Sequence, residues 1–169
     1  MELMIVVALI GIISSIAMPG FSHMINRIKV REAVEDTMLV LAFAYSEAIK
    51  RGDLGTVILD MADTDFPNAW VVKDMAQPAT PDPVTLVPQN QLMLIERSPR
   101  VRFNITGSTT QALPGGGAQY TGVAFNSLGW ASNPIKIGIC TQAPQKGVGT
   151  SIQLSPIGRA AVSATKENC

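Results

Sequence analysis

The chain has 169 residues and a formal charge of zero, with 13 Lys+Arg against 13 Asp+Glu. Hydrophobic residues make up 47% and charged residues 15%, which excludes a disordered chain and a generally basic nucleic-acid scaffold. The length fits one globular domain with an appendage better than several domains.

The first predicted element is a strongly apolar helix. The stretch from Leu3 to Met18 carries no charge, and Ser14 and Ser15 are its only polar residues. As a helix, residues 1–18 would measure about 27 Å, close to the hydrocarbon thickness of a bilayer. A cleaved signal peptide would have positive charge before its apolar core, whereas this chain has Glu2 there. We therefore expect a retained segment that can just span a membrane.

Glu2 is the only charge in this region. A carboxylate at bilayer depth costs roughly 2.5 kcal/mol or more unless it is paired or lies at the interface. One interpretation places Glu2 at the headgroup level, where the helix dipole favours a negative charge. The other gives it a positive partner on a second copy of the chain, which would make the helix an assembly device.

After Pro19 the apolar residues become periodic. From Phe21 to Ile49 they recur at spacings of three and four, which predicts that the helix continues with one apolar face. Two basic residues followed by Gly52 predict its end. A helix of about 50 residues is a rod of roughly 75 Å, so half of it must protrude from the rest of the chain.

Opposite charges follow one another at one-turn spacings on this second half. They are Arg27, Lys29, Arg31, Glu32, Glu35 and Asp36. Such pairs contribute only about 0.3–0.5 kcal/mol each, so the simplest interpretation is a solvated face. Between stacked subunits the same charges would set the register. His23 has no second His or Cys nearby, and no metal site is predicted.

Beyond Gly52 the sequence changes to short strands bounded by turn residues. The predicted strands cover residues 56–61, 69–73, 92–97, 101–106, 122–125, 136–140, 151–154 and 160–163. The apolar residues predicted to face the helix include Val57, Leu59, Val71, Leu92, Leu94, Val101, Phe103, Val123, Phe125, Ile137, Ile139, Ile152 and Leu154. Residues 77–90, rich in proline, predict a projecting loop, and residues 115–117 a flexible turn.

The predicted fold class is therefore α+β. A long helix over residues 1–51 has a hydrophobic part, 1–20, and an amphipathic part, 21–51. An antiparallel β-rich head follows over residues 52–169. Within the head, residues 124–131 and 153–160 form a weak repeat of strand, polar turn, Gly and small residue, which predicts two similar hairpins.

The first 21 residues, MELMIVVALIGIISSIAMPGF, resemble the start of a mature type IV pilin or type II secretion pseudopilin. The helix ending at residues 46–51 and the two Gly-centred hairpins are similar to the GspH/FimT family of minor pilins and pseudopilins. The basic leader and cleavage-point Gly of that family do not appear here. We expect the upstream reading frame to encode that leader, ending in Gly, and a short apolar stretch before Met1.

The resemblance implies roles for three residues. Glu2 matches the glutamate that neutralises the N-terminal amine of a neighbouring subunit, and a buried charge without a partner would penalise slipped arrangements. Gly11 and Pro19 match the residues between which pilin helices lose regularity in filaments. A simple Pro kink in a membrane helix is the alternative.

The implied function is that of a structural subunit of a type IV pilus or pilus-like filament, with a minor or initiating role. Its implied partners are other pilin subunits, the prepilin peptidase that cuts and methylates the chain, and the assembly machinery. It would cross the bacterial inner membrane once and then join a periplasmic or extracellular filament. The alternatives are a principal repeating pilin, a type II secretion pseudopilin, and a bitopic membrane protein whose head binds a ligand without polymerising.

DNA binding is a further alternative, because some members of this family bind DNA through a Gly-Arg-x-Arg motif. The matching residues 158–161 keep only Arg159, while Arg97, Arg100 and Arg102 offer another basic strip. No catalytic motif or cofactor site is recognisable, so an enzyme is not expected. In an exported chain, Cys140 and Cys169 favour a disulfide that closes a loop of about 30 residues and contributes roughly 3 kcal/mol. Two free thiols are the alternative.

Overall fold

The computed structural model describes residues 2–52, 57–61, 68–75, 90–107, 109–112, 119–142 and 149–163. Side chains of the helix are described without a gap over residues 24–51. The elements are α1 (Glu2–Arg51), β1 (Val57–Asp60), β2 (Ala69–Asp74), β3 (Gln91–Glu96), β4 (Val101–Thr106), β5 (Thr109–Ala112), β6 (Gln119–Phe125), β7 (Ile135–Thr141), β8 (Gly149–Leu154) and β9 (Ala160–Val162).

The strands form two sheets. The first has the order β3-β2-β1-β6-β5 and the second the order β4-β7-β8-β9, and the strand pairs within them are antiparallel. The helix over residues 24–51 packs against both sheets. The prediction of an α+β chain with an antiparallel β-rich part is confirmed at this level.

One face of α1 closes the core between the sheets. Its buried residues recur at spacings of three and four and are Val30, Ala33, Thr37, Val40, Leu41, Ala44 and Ala48. Three of them are alanines, which let the helix backbone approach the strands closely. The Thr37 hydroxyl donates to the Ala33 carbonyl oxygen at 2.6 Å, so its burial leaves no unsatisfied donor. Each large apolar side chain buried here stabilises the fold by about 1.5–3 kcal/mol.

Two residues predicted to face the helix lie on the other side of the first sheet. Trp70 and Val72 of β2 belong to the cluster that includes the helix residues, whereas Val71 does not. Val71 pairs with Leu94, so both side chains lie on the face away from the helix. The prediction for these two residues is wrong because residues 69–72 are all apolar, and such a run has no alternation from which to choose a face.

Strand β5 is absent from the predicted strands. Its sequence, Thr-Thr-Gln-Ala, is polar and without apolar alternation. It is the edge strand of the first sheet and pairs with β6 from Thr109↔Gly122 to Ala112↔Gln119. Backbone pairing with a neighbour holds this strand in place, and that signal is not local in the sequence. The predicted loop over residues 77–90, except Asn90, and the turn over residues 115–117 lie outside the described residues.

An ion-pair network fixes the end of α1 to the first sheet. Arg51 in the last helical turn pairs with Glu47 at 2.8 Å and with Asp74 at the end of β2. The Asp74 side chain is 1% exposed, and the backbone N–H of Asp74 donates to the Asn90 carbonyl oxygen at 2.7 Å. Gly52 follows with a φ of 64°, a left-handed conformation that ends the helix without strain.

We expect Arg51→Met to lower the free energy of unfolding by about 3 kcal/mol, because it removes the cation beside a buried carboxylate. The neighbouring cation Lys50 is the matched control, since its side chain is 78% exposed. Lys50→Met should change stability by less than about 0.5 kcal/mol. Urea unfolding of both variants measures the difference, and equal effects would contradict a structural role for the Arg51–Asp74 pair.

Candidate assembly surfaces

The first part of α1 carries large apolar side chains that the rest of the single chain leaves exposed. The residues that are each more than half exposed are Met4, Ile5, Val6, Val7, Leu9, Ile10, Ile12 and Ile13. Exposed large apolar side chains in such number are unusual on a protein that stays single in water, and clusters of them are typical of interaction sites. No helix among the described residues combines the length and the apolar character that crossing a membrane requires.

The three predicted assembly residues lie on α1. Glu2 is its first residue, and the side chains of Glu2 and Pro19 lie outside the described part of the chain. Gly11 lies in the exposed apolar part, where an added Cβ would meet nothing within 4 Å. Packing within the single chain therefore does not require glycine at this position. The assembly roles of these residues stay predictions.

Most charges on the second half of α1 are paired along the helix. Lys29 pairs with Glu32 at 2.6 Å, and Arg31 pairs with Glu35 at 2.9 Å. Both pairs are exposed, so each contributes little to stability. Within the described residues, Asp36 has no ion pair closer than 4 Å. Burial raises the pKa of the Asp36 carboxyl, Glu32 and Glu35 raise it further, and Lys29 acts in the opposite direction.

Two turns of the same geometry correspond to the predicted repeat. In the first, the Gly129 N–H donates to the Asn126 carbonyl at 2.8 Å and the Asn126 N–H donates to the Trp130 carbonyl at 3.1 Å. In the second, the Gly158 N–H donates to the Ser155 carbonyl at 3.0 Å, and the Ser155 N–H to the Arg159 carbonyl at 2.9 Å.

Side chains complete both turns in the same way. The Asn126 Oδ1 accepts from the N–H of Trp130 at 2.9 Å, and the Ser155 Oγ accepts from the N–H of Arg159 at 3.2 Å. The two glycines have φ values of 78° and 76°. The weak sequence repeat therefore reflects a shared turn that needs a left-handed residue at its fourth position.

Tyr45 of α1 is the surface on which both turns pack. A Cβ on Gly129 would overlap the Tyr45 ring, and a Cβ on Gly158 would overlap that ring and the Gly129 carbonyl oxygen. The turns also meet each other, since the Ala131 N–H donates to the Pro156 carbonyl at 2.9 Å. In the sequence, Tyr45 is one of the periodic apolar positions between Phe21 and Ile49. The signal for this contact in the sequence is the pair of glycines at equivalent positions of the repeat, because both pack on the same neighbour.

The paired turns expose three large apolar side chains and one cation. Leu128 is 65% exposed, Trp130 56% and Ile157 56%. Arg159 lies beside them with an exposed side chain. We call these four residues the twin-turn surface. Because the backbone of both turns is held on α1, the surface has a fixed position relative to the helix.

The other candidate arginines lie around the β3–β4 turn. Arg97 and Arg102 line a cleft of 730 Å³, and Arg100 is exposed in the turn itself. The Arg97 guanidinium lies 5.2 Å from the Trp70 ring centroid and 5.6 Å from that of Phe103. Burial lowers the pKa of Arg97. Its aromatic contacts give Arg97 a packing role in the single chain.

Arg159 does not join these arginines. Arg102 lies opposite Cys140 in the β4–β7 ladder, near one end of the second sheet. Arg159 follows Leu154, which lies at the other end. The β7–β8 ladder from Cys140↔Gly149 to Ile135↔Leu154 separates the two ends by roughly 17 Å, given about 3.3 Å per residue. The structure thus brings three of the four candidate DNA contacts to one region and leaves Arg159 in another.

Cys140 is buried at the end of β7 and is disulfide-bonded. Cys169 lies outside the described residues, and the Cys140–Cys169 pairing stays a prediction. The described residues contain no group of His, Cys, Asp and Glu that could hold a metal ion. Comparisons with known protein families, with curated proteins and with solved structures found no match to this chain.

We expect the glycines of the twin turns to tolerate alanine less well than Gly52. All three have positive φ, but an added Cβ at Gly52 would meet nothing within 4 Å. Gly52→Ala therefore measures the backbone strain alone, and Gly158→Ala should lower the free energy of unfolding by about 1–3 kcal/mol more. Gly129→Ala should fall between them, because only the Tyr45 ring has to move. Equal losses in urea unfolding would contradict the close packing on Tyr45.

Asp36 should oppose folding of the single chain at neutral pH. Its pKa is raised in the folded chain, because folding at neutral pH partly shields an ionised carboxylate from water and holds it beside two like charges. Well below its ordinary pKa of 3.8 the group is protonated in both states, and the difference disappears. We therefore expect Asp36→Asn to raise the urea midpoint at neutral pH and leave it unchanged in strong acid. Glu35→Gln, which loses the pair with Arg31, is the control and should give no such gain.

Proposed function

We propose that this chain is a structural subunit of a type IV pilus or pilus-like filament, in which copies assemble through the apolar first part of α1. The observation that carries the proposal is the uncovered apolar surface between Met4 and Ile13. Phe21, Met24, Ile25 and Ile28 are also exposed further along the same helix. In this proposal the whole of α1 is a rod, with the head attached to its last part.

A bundle of like helices suits this surface because its apolar side chains point in all directions around the helix. The head covers one face of α1 between Val30 and Ala48, whereas the large apolar side chains described between Met4 and Ile13 are exposed. Burying an exposed isoleucine or leucine contributes up to about 1.5–3 kcal/mol. Several neighbouring copies, each contributing a similar helix, would bury the surface on every side.

Glu2 would supply the register that the apolar contacts lack. Hydrophobic contact is non-directional, so aliphatic helices packed side by side tolerate sliding. A single acid buried beside a cation of a neighbouring copy penalises every arrangement that separates the two charges. Attraction and register would thus come from different residues of the same helix.

The finer parts of the proposal rest on the family resemblance. The minor or initiating role follows from the likeness of the helix ending at residues 46–51 to the GspH/FimT family. A single membrane pass before assembly, the prepilin peptidase and the assembly machinery remain predictions, as do the alternatives of a principal pilin and a secretion pseudopilin. DNA binding also stays a prediction, and it would involve two separate arginine regions.

Glu2→Ala in the full chain tests the proposal. We expect the assembled fraction to fall about tenfold or more, because the partner charge in the bundle loses its neutralising group. Sedimentation of the assembled material and filament counts in electron micrographs measure this fraction. Leu9→Gln should act in the same direction, since it places an amide in the apolar bundle.

The control is Glu96→Ala, which removes an exposed carboxylate of the head and should leave assembly unchanged. Circular dichroism and urea unfolding establish that the variants fold alike. Assembly of Glu2→Ala and Leu9→Gln at the efficiency of the parent chain would overturn the proposal, as would a parent chain that remains single at every concentration tested.

A further inference from the structure

Two exposed surfaces of opposite charge lie on opposite sides of α1. Tyr45 carries the twin-turn surface, and Asp36 lies nine residues earlier on the same helix. Nine residues correspond to about two and a half turns, so the two side chains project from opposite sides. The face packed on the sheets lies between them, with Leu41 and Ala44 at its centre.

The twin-turn surface is apolar with a single cation. Its three apolar side chains are each more than half exposed. In the described part of the chain, the Arg159 guanidinium has no ion pair, while the Arg159 backbone is held by Ser155. The backbone position is therefore fixed, and the side chain of Arg159 is exposed.

The opposite side carries what we call the Asp36 surface, formed by Glu32, Asp36 and Leu39. Leu39 is 52% exposed, one turn after Asp36. The Asp36 carboxylate is partly shielded from water and lies near two other acids, Glu32 and Glu35, while the nearby cation Lys29 acts in the opposite direction. An additional cation arriving at this surface would relieve the repulsion among the acids.

We propose that, in the filament proposed above, the twin-turn surface of one copy packs against the Asp36 surface of the next copy, with the Arg159 guanidinium paired to the Asp36 carboxylate. The occupant of each surface is thus a second copy of this chain. The inference rests on the proposed function, because it names the contact between heads that accompanies the contact between apolar helices.

The placement of the two surfaces determines the kind of assembly. The surfaces differ and face in opposite directions, so a contact between them is heterologous and leaves one of each free for further copies. Repetition of such a contact gives an open helical array unless the rotation happens to close a ring. For parallel helices, bringing Tyr45 of one copy level with Asp36 of the next shifts them by about 14 Å, from nine residues at about 1.5 Å each.

The chemistry of both surfaces favours this partner. Each side combines exposed apolar area with one charge that lacks a close partner within the described residues, and the two charges have opposite signs. Four residues on one side and three on the other are far fewer than the roughly 20–30 residues a side of a stable interface. The contact would therefore orient copies whose attraction comes mainly from the apolar helices.

Charge reversal in the full chain tests the contact. We expect Arg159→Asp and Asp36→Arg each to lower the assembled fraction about tenfold, because like charges would then meet across the interface. The double variant restores the opposite-sign pair in reversed order and should assemble at least fivefold better than either single variant. Arg100→Asp and Glu96→Arg, which reverse exposed charges elsewhere on the head, should assemble like the parent.

Crosslinking gives a second measurement that does not depend on assembly efficiency. A short bismaleimide should join copies carrying Arg159→Cys to copies carrying Asp36→Cys, and it should join neither variant efficiently to itself. The parent chain measures any reaction of the native cysteines. Efficient crosslinking within one variant would overturn the heterologous contact.

The outcomes separate the two proposals. Normal assembly of both single charge-reversal variants, with assembly lost in Glu2→Ala, would overturn this inference and leave the filament proposal standing. Failure of the parent chain to assemble would overturn both. Loss in each single variant without recovery in the double variant would also overturn the specific pairing of Arg159 with Asp36.

Discussion

The packing of one face of α1 between two sheets is the contact on which the rest of the molecule depends. Small residues on that face, Ala33, Ala44 and Ala48, let both sheets reach the helix, and large strand residues such as Phe125 and Ile137 fill the space between them. A helix buried on one face keeps its other sides for further contacts, such as those of Tyr45 with the two turns. The two lateral surfaces at residues 36 and 45 are consequences of that arrangement. So are the exposed apolar side chains in the first part of α1, which the sheets do not reach.

Polar and steric contacts then fix the orientation of the two sheets relative to the helix. The Arg51–Asp74 pair ties the helix end to the first sheet, while Tyr45 meets turns next to β6 and β8, one in each sheet. Residues outside the apolar core thus determine the orientation that apolar packing alone would leave loosely specified. Orientation matters for any ordered assembly, because a surface that moved relative to α1 would not repeat at a constant angle.

Local patterns were sufficient to predict the helix end, most strands and the two similar turns. The apolar period of α1, the basic last turn with Gly52, and the two Gly-centred repeats are all signals within a few residues of each other. The features that were not predicted depend on distant partners. Strand β5 exists through its pairing with β6, the buried faces of Val71 and Leu94 follow from sheet position, and the importance of Tyr45 arises only where two turns converge.

In the proposed filament, Asp36 would connect the energetics of the single chain with those of assembly. A charge that already has a partner, such as Glu35 beside Arg31, gains little from a second cation because its repulsion is already compensated. Asp36 is partly shielded and lies near Glu32 and Glu35, which together raise its pKa despite Lys29, so its ionised form is less favourable there than in water. For the same reason, a cation from a neighbouring copy would be more favourable beside Asp36 than beside a fully solvated acid. In the proposed filament, a residue that weakens the monomer would strengthen and orient the contact between copies, while the apolar helix would supply attraction without direction.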